Sequence, residues 1–458
     1  MSRKYFGTDG IRGVANSYPM TAEVALKVGQ AAGTMFRQQI PHARPTAVIG
    51  KDTRLSGYMV ESALQAGFTS VGFYCLLVGP MPTPGVSYLT RSLRADLGVM
   101  ISASHNQFTD NGIKIFGPDG FKLPDQAELE IEALIDGTAE NAIELADADK
   151  IGKAIRVEDA VGRYMESCKM SVSKDFSLEG MRLVVDCAHG AAYHIAPKIL
   201  WELGAEVIRI GCEPDGYNIN HNCGATSPDA LRQAVISQKA DIGIALDGDA
   251  DRLILCDERG DVLDGDQIMG AIGTHLHREG LLKGGGVVAT QMSNMGLEKY
   301  LGEHDLNLVR TNVGDRYVME AMREQGYNFG GEASGHLIFL DHATTGDGTL
   351  AALKFLEVLK MTGKKASELG HCFNPFPQKL HNITLPEKEM ADAILDTSDV
   401  KDAIRKSEDS LGGSGRVLIR KSGTEPLIRV MVEAEQQEHV DAEVAAISDV
   451  MEQQISRV

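Results

Sequence analysis

The chain has 458 residues, 43% apolar and 24% charged, with a formal net charge of −19. That length accommodates roughly three to four domains, and so acidic a surface repels nucleic acid and anionic membrane alike. An anionic substrate therefore requires a locally basic site. Seven cysteines are present, an odd number, and none has CxxC spacing; this is the pattern of reduced thiols in a cytoplasmic protein. The segment 1–7 has no apolar signal core, and no apolar run reaches the ~18 residues of a membrane span. The expected partners exclude nucleic acid and membrane.

In chain order, one layout is used three times. The first unit has an apolar strand at 47–52 ending in a polar turn, a helical pattern over 58–64 and a strand over 72–78. Its closing strand leads into Ser102-Ala103-Ser104-His105-Asn106. The second has a strand at 183–187, a helical pattern over 190–196 and a strand over 205–210. A helix then starts at Ser227, its N-cap, with Pro228 in the first turn. The strand 242–246 leads into Asp247-Gly248-Asp249-Ala250-Asp251-Arg252. The third repeats the plan with strands at 286–290 and 307–311 and closes on Gly331-Glu332-Ala333-Ser334-Gly335-His336. Strands alternating with helices predict mostly parallel sheets covered on both faces. Ligands sit at the carboxyl ends of such strands. After about residue 371 the pattern changes to strands at 415–420 and 427–433 flanking Lys421-Ser422-Gly423-Thr424-Glu425-Pro426, with a helical tail from Gln437. The fold expected is α/β: three similar mixed or parallel-sheet α/β domains plus a smaller C-terminal α+β domain around a central cleft. Their boundaries are expected at 1–150, 151–257, 258–371 and 372–458.

The loop at 247–252 carries the strongest chemical signal. In extended backbone, residues two apart share a side, so Asp247, Asp249 and Asp251 are expected to converge. Crowded carboxylates repel, and a divalent cation relieves them; oxygen-only ligands favour Mg²⁺, Mn²⁺ or Ca²⁺ over zinc. An EF-hand requires glycine where Arg252 stands, and helical flanks where strands are expected. A solvated acidic turn is the plain alternative. In the serine loop, Ser104 reads as a phosphoryl carrier, as an ordinary turn residue or as a hydrolase nucleophile. Neighbours on extended backbone point apart, which argues against a Ser104–His105 pair, and the nucleophile-elbow pattern is absent. The metal motif favours the carrier. Glu332, Ser334 and His336 offer donors and acceptors suited to sugar hydroxyls, or form a polar turn. Arg420, Ser422, Gly423, Thr424 and Arg429 supply the basic site: a guanidinium fork, two hydroxyls and a glycine that admits an anion to backbone N–H groups. A plain exposed hairpin is the alternative. Arg12, in Thr8-Asp9-Gly10-Ile11-Arg12-Gly13, and Lys114 either neutralise phosphate, move a proton or are solvated charges. His275 and His277 diverge on a helical pattern and read as surface residues.

Together these motifs resemble the α-D-phosphohexomutase superfamily. The segments that carry the resemblance run from Lys4 to Pro426 in the family's order: Lys4 to Gly13, Ile101 to Asn106, Asp247 to Arg252, Gly331 to His336 and Arg420 to Pro426. The box Tyr5-Phe6-Gly7-Thr8-Asp9-Gly10, Ala250, and the segments from Thr311 to Tyr317 and from Thr344 to Gly348 are similar to the glucosamine branch. Ala333 departs from it, where a larger polar residue is common. The resemblance implies an isomerase that interconverts glucosamine 6-phosphate and glucosamine 1-phosphate through a phosphorylated Ser104 and a 1,6-bisphosphate, which also serves as activator. Such enzymes feed UDP-N-acetylglucosamine and cell-wall synthesis. It implies one Mg²⁺ per active site, held by Asp247, Asp249, Asp251 and the Ser104 phosphate. Glu332 and Ser334 would bind the sugar, and Arg420, Ser422, Gly423, Thr424 and Arg429 the phosphate that is not reacting. Arg252, Lys114, Arg12 and His105 are the expected charge compensation, with Lys114 the first candidate for general base and His336 the second. A phosphomannomutase/phosphoglucomutase is the near alternative; a serine hydrolase and a non-catalytic calcium or sugar binder are the distant ones. A homodimer is left open.

Overall fold

The computed structural model describes residues 4–7, 9–38, 44–387, 389–421 and 426–456. They form two compact units, Met1–Met292 with Leu306–Cys372, and Ser293–Asp305 with Phe373–Val458.

Three sheets lie in the larger unit and share one plan. In the first, Thr46–Lys51 runs between Tyr74–Pro80 and Leu97–Ile101, parallel to both, and Asp110–Phe116 returns antiparallel beside Leu97–Ile101. In the second, Arg182–Asp186 lies between Glu206–Ile210 and Ile242–Leu246, with Leu253–Asp257 antiparallel beyond. In the third, Gly286–Thr290 lies between Asn307–Thr311 and Phe329–Gly331, with Leu337–Phe339 antiparallel beyond. The antiparallel return follows from loop length. A parallel crossover needs about a dozen residues or more, and the segments 102–109, 247–252 and 332–336 are shorter. Each chemically rich loop is therefore the tip of a hairpin at the carboxyl end of a central strand, pinned by hydrogen bonds on both sides.

The central strands are apolar throughout because helices cover both faces; every residue of Leu97–Ile101, Ile242–Leu246 and Gly286–Thr290 is buried. The hairpin Phe6–Gly7 with Gly10–Val14 extends the first sheet at one edge and Ala154–Arg156 at the other. Two helix starts differ from the sequence expectation. Ala188 and His189 adopt left-handed backbone, φ +53° and +50°, so the chain turns before its helix begins at Ile195. The helix expected to be capped by Ser227 spans Asp229–Gln238 with Pro228 at the cap and no side-chain cap bond.

The smaller unit has an antiparallel sheet in the order Gln378–Thr384, Leu427–Ala434, Gly415–Lys421. Helices Ser398–Leu411 and Gln437–Ile455 close its own core of Ile383, Val400, Val430, Val432, Val444 and Ile447. The helix Met295–Gly302 belongs to this unit; the Glu433 carboxylate accepts from the Met295 N–H at 2.7 Å. All seven cysteines are free thiols. Among the described residues, no helix is long and apolar enough to cross a membrane.

Candidate active site

Ser104 is buried, 1% exposed, with a left-handed backbone of φ +51°. A non-glycine residue there costs roughly 1–3 kcal/mol and persists only where its surroundings impose it. The imposing group is Arg54, fully buried beneath the loop. Its guanidinium donates to the carbonyl of Gln107, and to those of Asp110 (3.1 Å), Ser104 (2.9 Å) and Asn106 (2.7 Å). Asn220 Nδ2 donates to Ser104 and Asn106 carbonyls as well, each at 2.8 Å. These carbonyls have left the sheet ladder and need donors. Asp52 anchors Arg54 through Nε at 2.8 Å and accepts from Ser102 Oγ at 2.6 Å, while Ser102 Oγ accepts from the Ser104 N–H at 2.9 Å. Burial keeps the Asp52 pKa above its ordinary value, although Arg54 pulls it down.

The Ser104 hydroxyl donates to Asp247 Oδ2 at 2.6 Å. Asp247, Asp249 and Asp251 are all buried, and they bring carboxylate oxygens within 4.8 Å of one another. They do not converge by alternation on extended backbone, as the sequence suggested. The loop folds back on itself, with Ala250 at φ +57° and its N–H donating to the Asp247 carbonyl at 3.0 Å. Gly248 lets this loop touch the serine loop: a Cβ there would lie 2.6 Å from the Ser104 carbonyl oxygen. Thr83 Oγ1 donates to Asp249 Oδ2 at 2.5 Å, and the Arg252 N–H to Asp247 Oδ1 at 3.1 Å. Asp249 Oδ1 and Asp251 Oδ1 are buried with no donor within hydrogen-bond distance, His336 Nδ1 standing 3.7 Å from the latter. Burial, then the charges of Asp251 and Asp249, lift Asp247 well above the usual carboxylate range. Two orphaned oxygens among three buried carboxylates fit a hard cation of the Mg²⁺ type. Glu258, which an EF-hand would use, instead accepts from Ser367 Oγ at 2.6 Å.

Cations close in from several elements. Lys114 Nζ lies 3.0 Å from Asp249, 3.4 Å from Asp251 and 3.1 Å from Asp9. Burial opposes its charge, but those carboxylates prevail and hold its pKa well above the ordinary lysine value. Arg12 also pairs with Asp9. Arg252 is raised by Asp251, Asp247 and Glu332 against the effect of burial. His105 Nδ1 lies 3.4 Å from Ser104 Oγ. The expectation that these neighbours diverge fails because Ser104 is not extended. The pair still does not form a nucleophile and base, since the serine proton is directed to Asp247. Burial, with Arg252 and Arg12, lowers the His105 pKa to about 4 and leaves the ring neutral. Opposed influences meet at His336. Burial disfavours charge there, whereas Asp251, at 3.7 Å from Nδ1, and Asp315, at 3.4 Å from Nε2, favour it and lift the pKa to about 8. The Gly346 N–H points at Nε2 from 3.1 Å, a contact that is a hydrogen bond only when Nε2 carries a lone pair. In the neutral ring, present above about pH 8, that fixed backbone donor favours the tautomer protonated on Nδ1, facing Asp251.

Glu332 and Ser334 sit at the tip of the third hairpin, with Ser334 Oγ 3.5 Å from Glu332 Oε2. The Gly335 carbonyl accepts from the Leu253 N–H at 2.9 Å and ties this hairpin to the strand leaving the 247–252 loop. In the smaller unit, Arg420 stands directly opposite Arg429 across two antiparallel strands. Burial and the charge of Arg429 pull the Arg420 pKa down; like charges so placed are unfavourable and suit an anion. Ser422, Gly423 and Thr424 lie outside the described residues. The larger unit thus brings together Ser104, His105, Arg12, Lys114, Arg252, His336 and the three aspartates. Sequence reasoning missed Asp9, Asp52, Arg54, Thr83, Lys122, Asn220 and Asp315. Asp9 and Asp52 stood in segments already singled out; Thr83 and Asn220 carried no local signal.

Models of the phosphoglucomutase/phosphomannomutase family match the chain in four consecutive parts: alpha/beta/alpha domain I over residues 3–142, domain II over 162–260, domain III over 264–376 and the C-terminal domain over 380–450. The chain belongs to the phosphoglucomutase/phosphomannomutase family. It is 59% identical over 453 residues to a phosphoglucosamine mutase of Parvibaculum lavamentivorans, covering 99% of both chains. A phosphoglucosamine mutase of Novosphingobium aromaticivorans is also 59% identical, over 98% of this chain and 99% of its own. Among solved structures, a phosphoglucomutase/phosphomannomutase family protein of Burkholderia thailandensis shares the fold with a TM-score of 0.82 at 22% identity, covering 98% of this chain and 97% of that one. The N-acetylphosphoglucosamine mutase of Aspergillus fumigatus, solved with GlcNAc-6P and magnesium, shares it with a TM-score of 0.67 at 18% identity, covering 99% and 96%.

Proposed function

We propose that this isomerase is a phosphoglucosamine mutase, interconverting glucosamine 6-phosphate and glucosamine 1-phosphate. The observation that carries the reading is the Ser104 hydroxyl 2.6 Å from Asp247, at the edge of three buried carboxylates. Full-length relatives at 59% identity that bear this name support the choice of sugar. In this reading residues 1–150 carry the phosphoserine, 151–257 the metal loop, 258–371 the sugar loop and 372–458 the phosphate site.

Ser104 in its phosphorylated form donates its phosphoryl group to the free hydroxyl of the sugar phosphate. The Ser104 O–P bond breaks, a sugar O–P bond forms and the sugar hydroxyl gives up its proton. The resulting 1,6-bisphosphate turns over, and Ser104 takes back the other phosphoryl group. Loss of the bisphosphate before this step strands an unphosphorylated enzyme, which added bisphosphate recharges. Transfer of this kind proceeds through a loose transition state, so positioning and charge compensation do most of the work. Asp247, Asp249, Asp251 and the Ser104 phosphate would hold Mg²⁺, which supplies neutralisation of the phosphoryl oxygens. Arg252, Arg12 and Lys114 compensate the remaining charge, and neutral His105 flanks the serine. Lys114 is the first candidate for the base and His336 the second. The ammonium of Lys114 is the form its carboxylate neighbours favour, so the base role requires those neighbours to be compensated first. Glu332 and Ser334 read the sugar hydroxyls. Arg420, Ser422, Gly423, Thr424 and Arg429 hold the phosphate that is not reacting. The product feeds synthesis of UDP-N-acetylglucosamine and of the cell wall.

Peptide mass spectrometry is expected to find a covalent phosphate on the peptide containing Ser104. Ser104→Ala is expected to lower turnover by at least roughly 10³-fold, as nucleophile deletions do. Turnover near that of the wild type in this variant would remove the carrier role. Competition among glucosamine, mannose and glucose phosphates is expected to favour glucosamine; a preference for mannose or glucose phosphate would move the protein to the alternative branch.

A further inference from the structure

Lys122 lies in the turn that follows the strand Asp110–Phe116. The turn is rigid at its root. Gly117 N–H donates to the Phe121 carbonyl at 2.8 Å, and the Gly120 carbonyl accepts from Ser87 Oγ at 2.7 Å and Thr344 Oγ1 at 2.8 Å. From this base Lys122 Nζ reaches two carboxylates on different elements, Asp9 Oδ1 and Asp315 Oδ2, each at 2.5 Å. Asp9 lies in the turn between Phe6–Gly7 and Gly10–Val14, and its other oxygen holds Lys114 at 3.1 Å and pairs with Arg12. Asp315 opens the helix Asp315–Gln325 and faces His336 at 3.4 Å. A single ammonium thus joins the carboxylate that orients Lys114 and Arg12 to the one that faces His336.

We infer that Lys122 is a positioning residue for phosphoryl transfer, acting through Asp9 and Asp315 rather than on substrate; the inference rests on the mutase reading of this site. Removing its charge leaves Asp9 and Asp315 facing one another as like charges. Asp9 then draws more strongly on Lys114 and competes with Asp249 and Asp251 for the same ammonium. A displacement of about 1 Å in such a network is enough to cost about 100-fold in rate. A purely structural role is the less economical account. The Lys122 side chain is 16% exposed and lines an open cavity of about 630 Å³ with Phe121, Arg316 and Met319, so truncation enlarges an existing space without emptying a core.

The test is steady-state kinetics on glucosamine 6-phosphate with wild type, Lys122→Ala and Lys122→Arg. Lys122→Ala is expected to lower kcat by roughly 100-fold with KM within about threefold, because substrate contacts are untouched. Lys122→Arg is expected to retain activity within about tenfold of wild type, since its fork spans the same carboxylates. Propylammonium added to Lys122→Ala is expected to enter the adjoining cavity and restore kcat saturably by about tenfold or more. A kcat within about twofold of wild type in Lys122→Ala, or a change confined to KM, would overturn the inference. So would a loss that neither arginine nor propylammonium repairs, including a loss through misfolding shared by Lys122→Arg. Wild-type enzyme inactive on every hexosamine and hexose phosphate tried would instead overturn the mutase reading, and this inference with it.

Discussion

Arg54 carries the cost of placing a serine on left-handed backbone. Five N–H donors of its fully buried side chain converge on one carboxylate and four carbonyls. Arg54→Met keeps the bulk but leaves Asp52 as a buried charge without its partner and strips the serine loop of its donors. Breaking a buried pair by removing one member typically costs about 3–5 kcal/mol. The expected result is a loss of that order in denaturant unfolding of the larger unit, together with loss of turnover as Ser104 relaxes. A variant as stable and active as wild type would show that the loop holds itself. Nothing in the sequence announced this role. An arginine after a strand reads as a solvated charge, and its acceptors are backbone carbonyls some fifty residues away in the chain. The three aspartates and Ser104 were legible because their side chains are the chemistry. The left-handed backbone at Ser104 and Ala250 was not, because neither residue is a glycine, the usual marker of such a turn.

Among the elements, the helix Gly348–Thr362 does more than cover a sheet. Its first N–H, at Gly348, donates to the Ala250 carbonyl at 3.0 Å, so a helix N-terminus supports the turn that gathers the three clustered carboxylates. Asp347 caps this helix by accepting from the Leu350 N–H at 2.9 Å, and Tyr164 Oη donates to the same carboxylate at 2.9 Å. Burial outweighs these bonds and raises the Asp347 pKa to about 6. A carboxyl group raised in the folded state contributes its stability in full below the ordinary value of 3.8 and loses it as pH rises through about 6. At about 1.4 kcal/mol per pK unit, about 1 kcal/mol of that loss falls between about pH 5 and about pH 7.5. Asp347→Asn keeps a capping oxygen and cannot ionise. Its stability relative to wild type is therefore expected to improve by about 1 kcal/mol over that interval, read by denaturant unfolding at the two pH values. A difference that is constant with pH would mean that Asp347 is ionised throughout. In the sequence this helix was touched only at its start, through the segment from Thr344 to Gly348; the helix and the cap's second function were not legible, since the turn it supports lies in another sheet's hairpin.

Over the whole molecule, the repeat of strand order in three sheets was legible because alternating strands and helices leave a strong pattern, and short loops dictate the antiparallel return. The membership of Met295–Gly302 in the smaller unit was not, because its tie is a carboxylate from a strand far along the chain. The division into two units, each with its own core, separates two kinds of charge. The larger holds Asp247, Asp249 and Asp251 with two oxygens lacking donors, and the smaller holds Arg420 opposite Arg429. A cation and an anion should therefore protect different stretches of backbone. Binding slows amide exchange where local opening must release the ligand. Mg²⁺ is expected to slow exchange in residues 102–106 and 247–252 and to leave Gly415–Lys421 and Leu427–Ala434 unchanged. Sulfate, which a pair of guanidinium groups can hold in fork geometry, is expected to do the reverse. Asp249→Asn is expected to abolish the Mg²⁺ effect and to leave the sulfate effect intact. Mg²⁺ protection that survives in Asp249→Asn, or that spreads evenly over both units, would remove the three aspartates as the seat of the cation. Removal of the metal by a chelator should then return the 247–252 loop to its unprotected rate, because the same buried carboxylates that attract the ion repel one another without it.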